Sequence, residues 1–402
     1  MHLVDGANPG PGNIFVGGDP VAGTPATQIT PEILTAFEFE LANVVTRAGL
    51  ALSKPDNTQL YQAISLLAAR RNSLRNWIVN GGPSVDQRNS GLISGAAAYT
   101  MDRWLFFPGG TGTGRYRSPT TNPTWLLTAE AEQTRWRTYA KWEQTVASSG
   151  AQPYIAQRIE GVGQLSGTVV TLSFFAKLVS LSSGTTVTLT PSFIQNFGPG
   201  GSAPVTTTGS SIVLTNGNAL ARFTATVTLP SIAAGTIASV MPPGDYLEVR
   251  LTGPNGVTFE IRTVGVQFEI GSAATEFEVR PVELELAMCR RYFETSVSSS
   301  GGIYGFFGSI SGASPDAAYN SWDSGTVALT AQQHFAQIKR TIPTVIWYSP
   351  ATGAAGNIVW EGADRSVIQT NNTSASVTGS PQVASSRLAS EVRAAWTADA
   401  EI

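Results

Sequence analysis

The sequence predicts a mainly β protein in which short N-terminal helices precede an antiparallel β-sandwich and a second β-rich domain. Apolar residues recur at heptad spacing between residues 30 and 49. From about residue 74 onward, short runs of Val, Ile, Thr and Phe alternate with Gly, Ser and Pro turns. Hydrophobic residues make up 42% of the 402 residues and charged residues only 13%. This apolar content is enough to offset the conformational entropy of folding, so we expect an ordered chain.

Composition and periodicity divide the chain into four segments. Residues 1–29 are rich in Gly and Pro and carry no periodic pattern, which predicts an extended arm. The arm is either a docking segment that orders on a larger assembly or a free terminus. Residues 30–73 hold two short helices, residues 74–294 the sandwich, and residues 295–402 the distal β-rich domain.

The first helix is predicted to begin at Thr30 and to end at Gly49, because a hydroxyl residue at the N-cap and Gly after the last turn are typical helix limits. Its apolar residues recur at alternating intervals of three and four residues. They give a candidate oligomerisation seam formed by Leu34, Phe37, Leu41, Val44 and Ala48. The seam is typical of a coiled coil, and a helix packing on its own domain is the alternative. A second helix follows Pro55. Two short helices cannot bury their apolar faces alone, which favours self-association.

Alternating apolar and polar residues predict the strands of the sandwich. The predicted strands cover residues 170–177, 187–191, 223–229, 246–251 and 257–270. Their lengths and spacing suggest an antiparallel sandwich. In the distal domain the predicted strands are residues 326–329, 334–338 and 344–348. The spacing of the tail, residues 386–402, fits a helix, and a terminal strand is equally possible.

Composition and motifs exclude several classes of function. Cys289 is the only cysteine, and the two histidines (His2 and His334) lie far apart, so the chain offers no His/Cys zinc cluster and no Cys–His or Ser–His nucleophile. An oxygen-ligand calcium site leaves no spacing signature and stays open. We expect no cofactor, because dinucleotide and P-loop glycine motifs are missing. The net charge of −3 gives no reason to bind nucleic acid, and no apolar run is long enough to enter a membrane.

The distal domain carries the best candidates for ligand binding. Residues 320–325 form a polar turn around one large ring, and such a ring offers a sugar a flat apolar face beside fixed hydrogen-bond groups. The candidate glycan-binding residues are Tyr319, Trp322, Asp323 and Trp360. The alternative is a turn whose Trp packs into the core.

Two motifs in the sandwich favour a structural interpretation over a binding one. Residues 102–104 (Asp-Arg-Trp) have the residue types of a sugar platform, but within a sandwich they are more typical of a core Trp beside a buried ion pair. Residues 290–292 (Arg-Arg-Tyr) offer bidentate contacts to an anion, but at the exit of the sandwich they favour an interchain or interdomain clamp.

Four groups of motifs follow one another along nearly the whole chain. They are residues 23–32, 40–45 and 57–60; residues 76–81, 86–88 and 99–104; residues 157–160, 170–177, 197–198, 229–232, 245–247, 266–269 and 274–278; and residues 289–293 and 398–402. In this order they resemble bacteriophage tail fibres and receptor-binding tail proteins. The resemblance implies a jelly-roll sandwich similar to carbohydrate-binding modules, a homotrimer, and attachment through the N-terminal arm to other tail, baseplate or virion proteins.

From this resemblance we expect a structural protein of the virion tail, made in the bacterial host cytoplasm, that attaches the particle to a host surface polysaccharide. We expect no catalysis, because no motif pairs two of the 28 acidic residues as glycoside hydrolysis requires. Two alternatives stay open. One is a decoration or collar fibre of the capsid that binds virion proteins, and the other is a tailspike that depolymerises polysaccharide.

Overall fold

The computed structural model describes residues 7–8, 10, 14–69, 74–88, 90–118, 138–217, 219–232, 240–296, 331–360, 363–381 and 392–402. The chain divides into two compact units, Met1–Arg75 and Asn76–Ile402. Within the described residues it forms three α-helices, and all of its paired strands are antiparallel. The predicted mainly β fold class is therefore confirmed. The predicted boundary between residues 294 and 295 lies inside the second unit.

The first unit contains two helices where the sequence predicts them, α1 (Pro31–Arg47) and α2 (Gln59–Ala69). Thr30 has extended backbone immediately before α1, and Gly49 follows the helix with a left-handed φ of 85°. A left-handed residue just after the last turn is the usual position for Gly, because Gly has no Cβ to clash there. The start and stop signals in the sequence therefore predict both limits of α1.

The predicted oligomerisation seam divides into an exposed part and a buried part. Leu34, Phe37 and Leu41 are exposed on α1. The C-terminal end of the seam packs within the unit, in a small apolar cluster formed by Val45, Ala48 and Ala63 with Val44 packed against it. The coiled coil stays a prediction, and the exposed part of the seam is the surface on α1 that it would use.

The second unit begins with two facing sheets whose strands are numbered in chain order. One sheet has six strands, in the spatial order β1 (Ile93–Ser94), β4 (Thr113–Arg117), β5 (Ala140–Val146), β13 (Phe259–Ile270), β7 (Val169–Leu181) and β11 (Ala221–Thr228). The other has seven, in the order β10 (Ile212–Thr215), β8 (Thr186–Asn196), β12 (Tyr246–Thr252), β6 (Tyr154–Glu160), β3 (Trp104–Phe107) and β2 (Ala98–Met101), with β9 (Val205–Thr208) also pairing β8.

The chain crosses repeatedly between these two sheets, as in a jelly roll. Strands β5 to β8 alternate between the sheets, and β12 and β13 return to lie between β6 and β8 and between β5 and β7. The inner faces meet in one apolar core, where Phe193 of β8 stacks on Phe268 of β13 with ring centroids 5.4 Å apart. Each predicted sandwich strand is present, because one buried face imposes the strict alternation that the sequence shows.

A third helix and two smaller sheets complete the second unit. Helix α3 (Val282–Arg290) leads into a three-stranded sheet in the order β14 (Phe293–Thr295), β21 (Ala395–Asp399) and β16 (Thr344–Tyr348). A five-stranded sheet has the order β15 (Ala331–His334), β19 (Ser376–Pro381), β18 (Ala363–Asn372), β17 (Asn357–Trp360) and β20 (Val392–Arg393).

One sequence prediction needs correction in the distal region, and another lies outside the described residues. The strand predicted at residues 334–338 is wrong, because β15 ends at His334 and Phe335 turns inward to pack on Trp396 with ring centroids 5.4 Å apart. Of the two structures that the sequence allowed for the tail, the strand is present as β21, which pairs with a neighbouring strand on either side. The predicted strand at residues 326–329 lies outside the described residues. Among the described helices, none combines the length and hydropathy needed to cross a membrane.

Candidate functional site

The glycan-binding residues predicted in the distal domain stay a prediction. Tyr319, Trp322 and Asp323 lie outside the described residues. Trp360 ends strand β17, and its side chain is outside the described part of the chain. The candidate site that the structure does describe lies on the sandwich.

Five side chains form this candidate site on the outer face of the seven-stranded sheet, and we call them the aromatic face: Tyr154, Arg158, Tyr246, Glu248 and Arg250. Glu248 of β12 lies directly opposite Arg158 of β6 in the strand register. Residues two apart on a strand share a face, which places Tyr246 and Arg250 beside Glu248. Tyr154 lies on the same face of β6, four residues before Arg158.

Glu248 holds the two arginines of the aromatic face in place. Its side chain is only 2% exposed, and its carboxylate accepts hydrogen bonds from Arg158 Nε at 2.8 Å and from Arg250 Nε at 2.7 Å. Each guanidinium also lies over a ring, Arg158 over Tyr246 at 4.8 Å and Arg250 over Tyr154 at 4.0 Å. Charge-assisted bonds and ring stacking together fix both arginines in defined orientations.

The aromatic face has the chemistry of a sugar-binding surface. Its two flat guanidinium–ring pairs offer apolar contact to a pyranose. The charges of the two arginines and of the Glu248 carboxylate sum to one positive charge. Burial raises the pKa of the Tyr154 phenol despite the opposing charge of Arg250, so at neutral pH its hydroxyl remains a hydrogen-bond donor. Ser192 of β8 lies directly opposite Arg250 and adds a third hydroxyl to those of Tyr154 and Tyr246.

The sequence does not predict the aromatic face as a unit, although Arg158 lies in the motif at residues 157–160. The pattern that indicates its partners is Tyr246-x-Glu248-x-Arg250, in which a tyrosine, an acid and a base share one face of a strand. Of the two neighbouring strands, β8 presents mainly Thr and Ser on this face, whereas β6 presents Tyr154, Arg158 and Glu160. The sequence alone does not say which strand lies opposite, so Arg158 and Glu248 remained separate observations.

The Asp-Arg-Trp motif is structural, as the sequence favoured. Trp104 is buried in the core, and its Nε1–H donates to the carbonyl oxygen of Asn80 at 3.1 Å. Arg103 has a left-handed φ of 69° and a side chain only 2% exposed. Its guanidinium pairs with the Glu401 carboxylate and stacks on the Tyr292 ring at 3.4 Å. The motif therefore contributes a core Trp beside a buried ion pair.

Motifs from distant parts of the sequence meet around this ion pair, in a network that we call the junction. Arg88 binds Asp399 at 2.8 Å and Glu401 at 3.3 Å. The carbonyl oxygen of Ile402 accepts hydrogen bonds from Tyr99 Oη at 3.1 Å and from Arg158 Nη1 at 2.5 Å. The junction joins the sandwich to residues 399–402 and thereby fixes the distal sheets at their base.

Residues 290–292 connect the sandwich to the distal region within the second unit, and an interchain clamp at this place stays a prediction. Arg291 binds Glu160 of β6 at 3.1 Å, and the Arg290 carbonyl oxygen accepts a hydrogen bond from the buried Lys339 at 2.5 Å. Burial raises the pKa of Tyr292 to about 12, so the phenol stays neutral beneath the Arg103 guanidinium. The Arg291 and Tyr292 side chains are therefore engaged within the chain.

Buried polar side chains of two further strands are engaged within the chain. Gln157 is buried, and its amide group bonds both the N–H and the carbonyl oxygen of Val79. Gln267 and Glu269 are buried and share hydrogen bonds with Thr275. These side chains tie flanking segments onto the sandwich.

The described residues hold no cluster of three or more His, Cys, Asp and Glu side chains that suits a metal ion. Cys289 is buried in a small apolar cluster with Val79 and Val85. Burial raises the pKa of its thiol well above the ordinary value, so the thiol is protonated and unreactive at neutral pH. Cys289 therefore acts as a small hydrophobic residue.

No known protein family matches the sequence, and no curated protein does. Solved structures are similar to parts of the chain at low TM-scores. The enzymatically active domain of tailspike protein 4 from bacteriophage CBA120 is 17% identical, with a TM-score of 0.28, over 49% of this chain and 22% of that chain. The chain therefore spans less than a quarter of that tailspike structure.

Two sugar-binding structures show similar values. The C-terminal family 22 carbohydrate-binding module of Clostridium thermocellum Xyn10B is 11% identical, with a TM-score of 0.29, over 43% of this chain and 89% of the module. A putative sugar-binding protein from Bacteroides thetaiotaomicron is 11% identical, with a TM-score of 0.27, over 49% of this chain and 100% of that protein.

Proposed function

We propose that this chain is a non-catalytic attachment protein of a phage tail that binds a polysaccharide of the host surface. The observation that carries the proposal is the aromatic face, where Glu248 fixes two arginine–tyrosine pairs on an outer sheet surface. A sugar needs flat apolar contacts and oriented polar groups at the same place, and the face supplies both. The motif order along the sequence supports the phage-tail role.

The first unit supports self-association into a trimer. Leu34, Phe37 and Leu41 are exposed at heptad spacing on α1, and an apolar stripe of this kind is normally covered by a partner helix. Three copies would present three aromatic faces. The effective affinity for a repetitive surface glycan would then exceed that of one site by orders of magnitude, without any new contact.

The ionisation of the described carboxyl groups supports binding without hydrolysis. A glycosidase needs a carboxylic acid with a raised pKa that reaches the substrate. Burial raises the pKa values of Asp102, Glu285 and Glu401, and all three side chains are enclosed in the fold. Glu160 is partly exposed, and Arg291 lowers its pKa despite partial burial.

Glycan binding is tested with the full chain on an array of bacterial capsular and O-chain polysaccharides. We expect binding to a subset of them, and Tyr154→Ala should weaken it because the variant removes one ring and keeps the Arg250–Glu248 pair. Tyr61→Ala, a change at an exposed tyrosine of α2, is the matched control and should bind as the parent does. Absence of binding, or equal binding by both variants, would overturn the proposed site.

Oligomeric state and hydrolysis are measured on the same protein. Light scattering should give a mass near three chains, and Phe37→Glu on the seam should lower it. Phe39→Glu, an exposed position outside the seam, should leave the trimer intact. A monomeric parent chain would favour the decoration protein. Release of reducing ends from a bound polysaccharide would favour the depolymerising tailspike.

A further inference from the structure

Arg250 of the aromatic face turns one edge of its guanidinium toward Glu248 and leaves the other edge open. Its Nε and Nη2 both donate to Glu248 Oε1, with the Nε bond at 2.7 Å. Its Nη1 donates to no described residue. The side chain is 27% exposed, and Nη1 is not one of the buried polar atoms that lack a partner in the described part of the chain. The outer edge of Arg250 therefore faces solvent.

Arg158 is held at more points than Arg250. Its Nε donates to Glu248 at 2.8 Å, and its Nη1 donates to the Ile402 carbonyl oxygen at 2.5 Å. Its guanidinium also lies over the Tyr246 ring at 4.8 Å. Arg158 therefore fixes Glu248 in place, and Arg250 carries the open pair of terminal nitrogens.

The acidic groups of this face are already engaged. Glu248 is 2% exposed, and its two oxygens accept hydrogen bonds from both arginines. Glu160, which lies opposite Tyr246 on the same face, binds Arg291 at 3.1 Å. The polar groups that stay open on the described face are therefore guanidinium N–H donors and hydroxyls, which suit a ligand that supplies strong acceptors.

Two hydroxyls lie beside the open edge of Arg250. Ser192 lies directly opposite it in the strand register, and the Tyr154 ring lies beneath its guanidinium at 4.0 Å. Neither hydroxyl bonds a described residue. Two parallel N–H groups match the two oxygens of a carboxylate, the ring matches the apolar face of a pyranose, and the hydroxyls match its other polar groups. All of these groups belong to a sugar that carries a carboxylate.

The local charge favours the same ligand. The charges of Arg158, Arg250 and Glu248 sum to one positive charge. Among the connections that begin or end at a strand of the seven-stranded sheet, only those before and after β11 include residues outside the described ranges. These are residues 218 and 233–239, and none of them is charged. One carboxylate of a ligand would balance the charge of the site.

We propose that the aromatic face binds an acidic sugar, whose carboxylate pairs with the outer edge of Arg250 while its ring packs on Tyr154. The inference rests on the proposed role in glycan attachment and adds the substrate class. A nucleic acid is a less suitable anion, because cations that follow its phosphate backbone bind it. The described residues of this face instead place both arginines around one carboxylate.

The test compares native acidic oligosaccharides with their carboxyl-reduced forms, in which each carboxylate has become a hydroxymethyl group. The ligands are polygalacturonate, alginate and hyaluronate oligosaccharides of equal length, and the protein is the full chain. We expect at least one native oligosaccharide to bind about tenfold tighter than its reduced form, because reduction removes one charge-assisted pair with arginine. This preference should shrink as salt rises.

Two variants separate the carboxylate contact from the ring contact. Arg250→Lys keeps the charge and loses the parallel N–H groups, so the preference for the native oligosaccharide should fall to about threefold or less. Tyr154→Ala should weaken the native and the reduced forms by a similar factor, because both forms pack on the ring, and should keep the preference. Arg47→Lys, the same change at an exposed position of the first unit, should bind as the parent does.

Four results would overturn the inference. No native oligosaccharide binds the parent chain, or native and reduced forms bind it equally, or Arg250→Lys keeps the full preference, or an oligodeoxynucleotide of equal charge binds as tightly as the glycan. The comparison on the parent chain decides the inference even if Arg250→Lys fails to fold. If the array shows binding that Tyr154→Ala weakens, the proposed function stands and only the acidic sugar fails. If the array and the oligosaccharides are all negative, the proposed function fails as well.

Discussion

The ion pair at the junction allows a quantitative test of how the distal sheets are held. The perturbation is Glu401→Gln, which keeps the side-chain shape and removes its charge. The Arg103 and Glu401 side chains are 2% and 5% exposed, so the variant leaves the Arg103 guanidinium buried without its carboxylate. Breaking a buried pair in this way costs about 3–5 kcal/mol. Arg88 keeps Asp399 at 2.8 Å, so we expect the lower end, about 3 kcal/mol.

A pair at the same junction provides the control. Arg291 and Glu160 are 46% and 32% exposed at 3.1 Å, and Arg291→Gln should cost about 0.2–1 kcal/mol because water screens the pair. Unfolding in urea is followed by tryptophan fluorescence, for which the buried Trp104 beside Arg103 is a reporter. The unfolding free energy falls with urea by about 3 kcal/mol per M for a chain of this size. The midpoint of the Glu401 variant should therefore lie roughly 1 M below that of the parent, and the midpoint of the control should lie within about 0.3 M of it.

The reasoning is refuted if the two variants shift the midpoint equally. A double-variant cycle separates the pair from the site around it. Arg103→Asn suits the left-handed backbone at that position, because Asn tolerates positive φ. We expect the double variant with Arg103→Asn and Glu401→Gln to lose less unfolding free energy than the two single variants lose in sum. The difference should be at least about 1 kcal/mol. Simple additivity would mean that the two side chains do not interact.

Three further predictions follow from the sandwich. Gly81→Ala should lower the urea midpoint, because a Cβ there would lie 2.0 Å from the Val266 carbonyl oxygen. Gly91→Ala is the control and should leave the midpoint unchanged, because a Cβ at that position meets no atom within 4 Å. The folded pKa of Glu143 is lowered, so its charge stabilises the fold above its ordinary pKa of 4.5, and this contribution is lost as pH falls through the lowered value. Glu143→Gln should therefore flatten the fall of the urea midpoint with pH below 4.5. Trp142→Ala should cost about 3–5 kcal/mol by calorimetry, since the ring is fully buried in the core.

Local signals carried most of the fold prediction. Both limits of α1 follow from Thr30 and Gly49, and the strands follow from alternation that one buried face imposes. The error arose where a tertiary contact overrides the local pattern. Phe335 lies in a run that was predicted to be a strand, but the chain turns there to place its ring on Trp396. The tail shows the same limit of local pattern, because its spacing allowed a helix or a strand and pairing with β14 and β16 makes it a strand.

The candidate site was harder to predict because it depends on register between strands far apart in sequence. Arg158 and Glu248 are 90 residues apart and meet only once β6 and β12 are paired. The Arg103–Glu401 pair was half predicted, because a buried partner for the arginine was expected and its position near the end of the sequence was not.

The three-stranded sheet at the base of the distal region has a consequence for how that region can vary. Strands β14, β16 and β21 lie side by side, so both long connections between them leave and return to the same small platform. Lengthening a connection whose ends are already fixed costs free energy only as the logarithm of its length. Both connections can therefore change in length while the three strands stay paired, as long as Phe335 keeps its contact with Trp396 and Lys339 its hydrogen bond to the Arg290 carbonyl oxygen. Such an architecture separates the few positions that hold the platform together from the many in which length is free to vary.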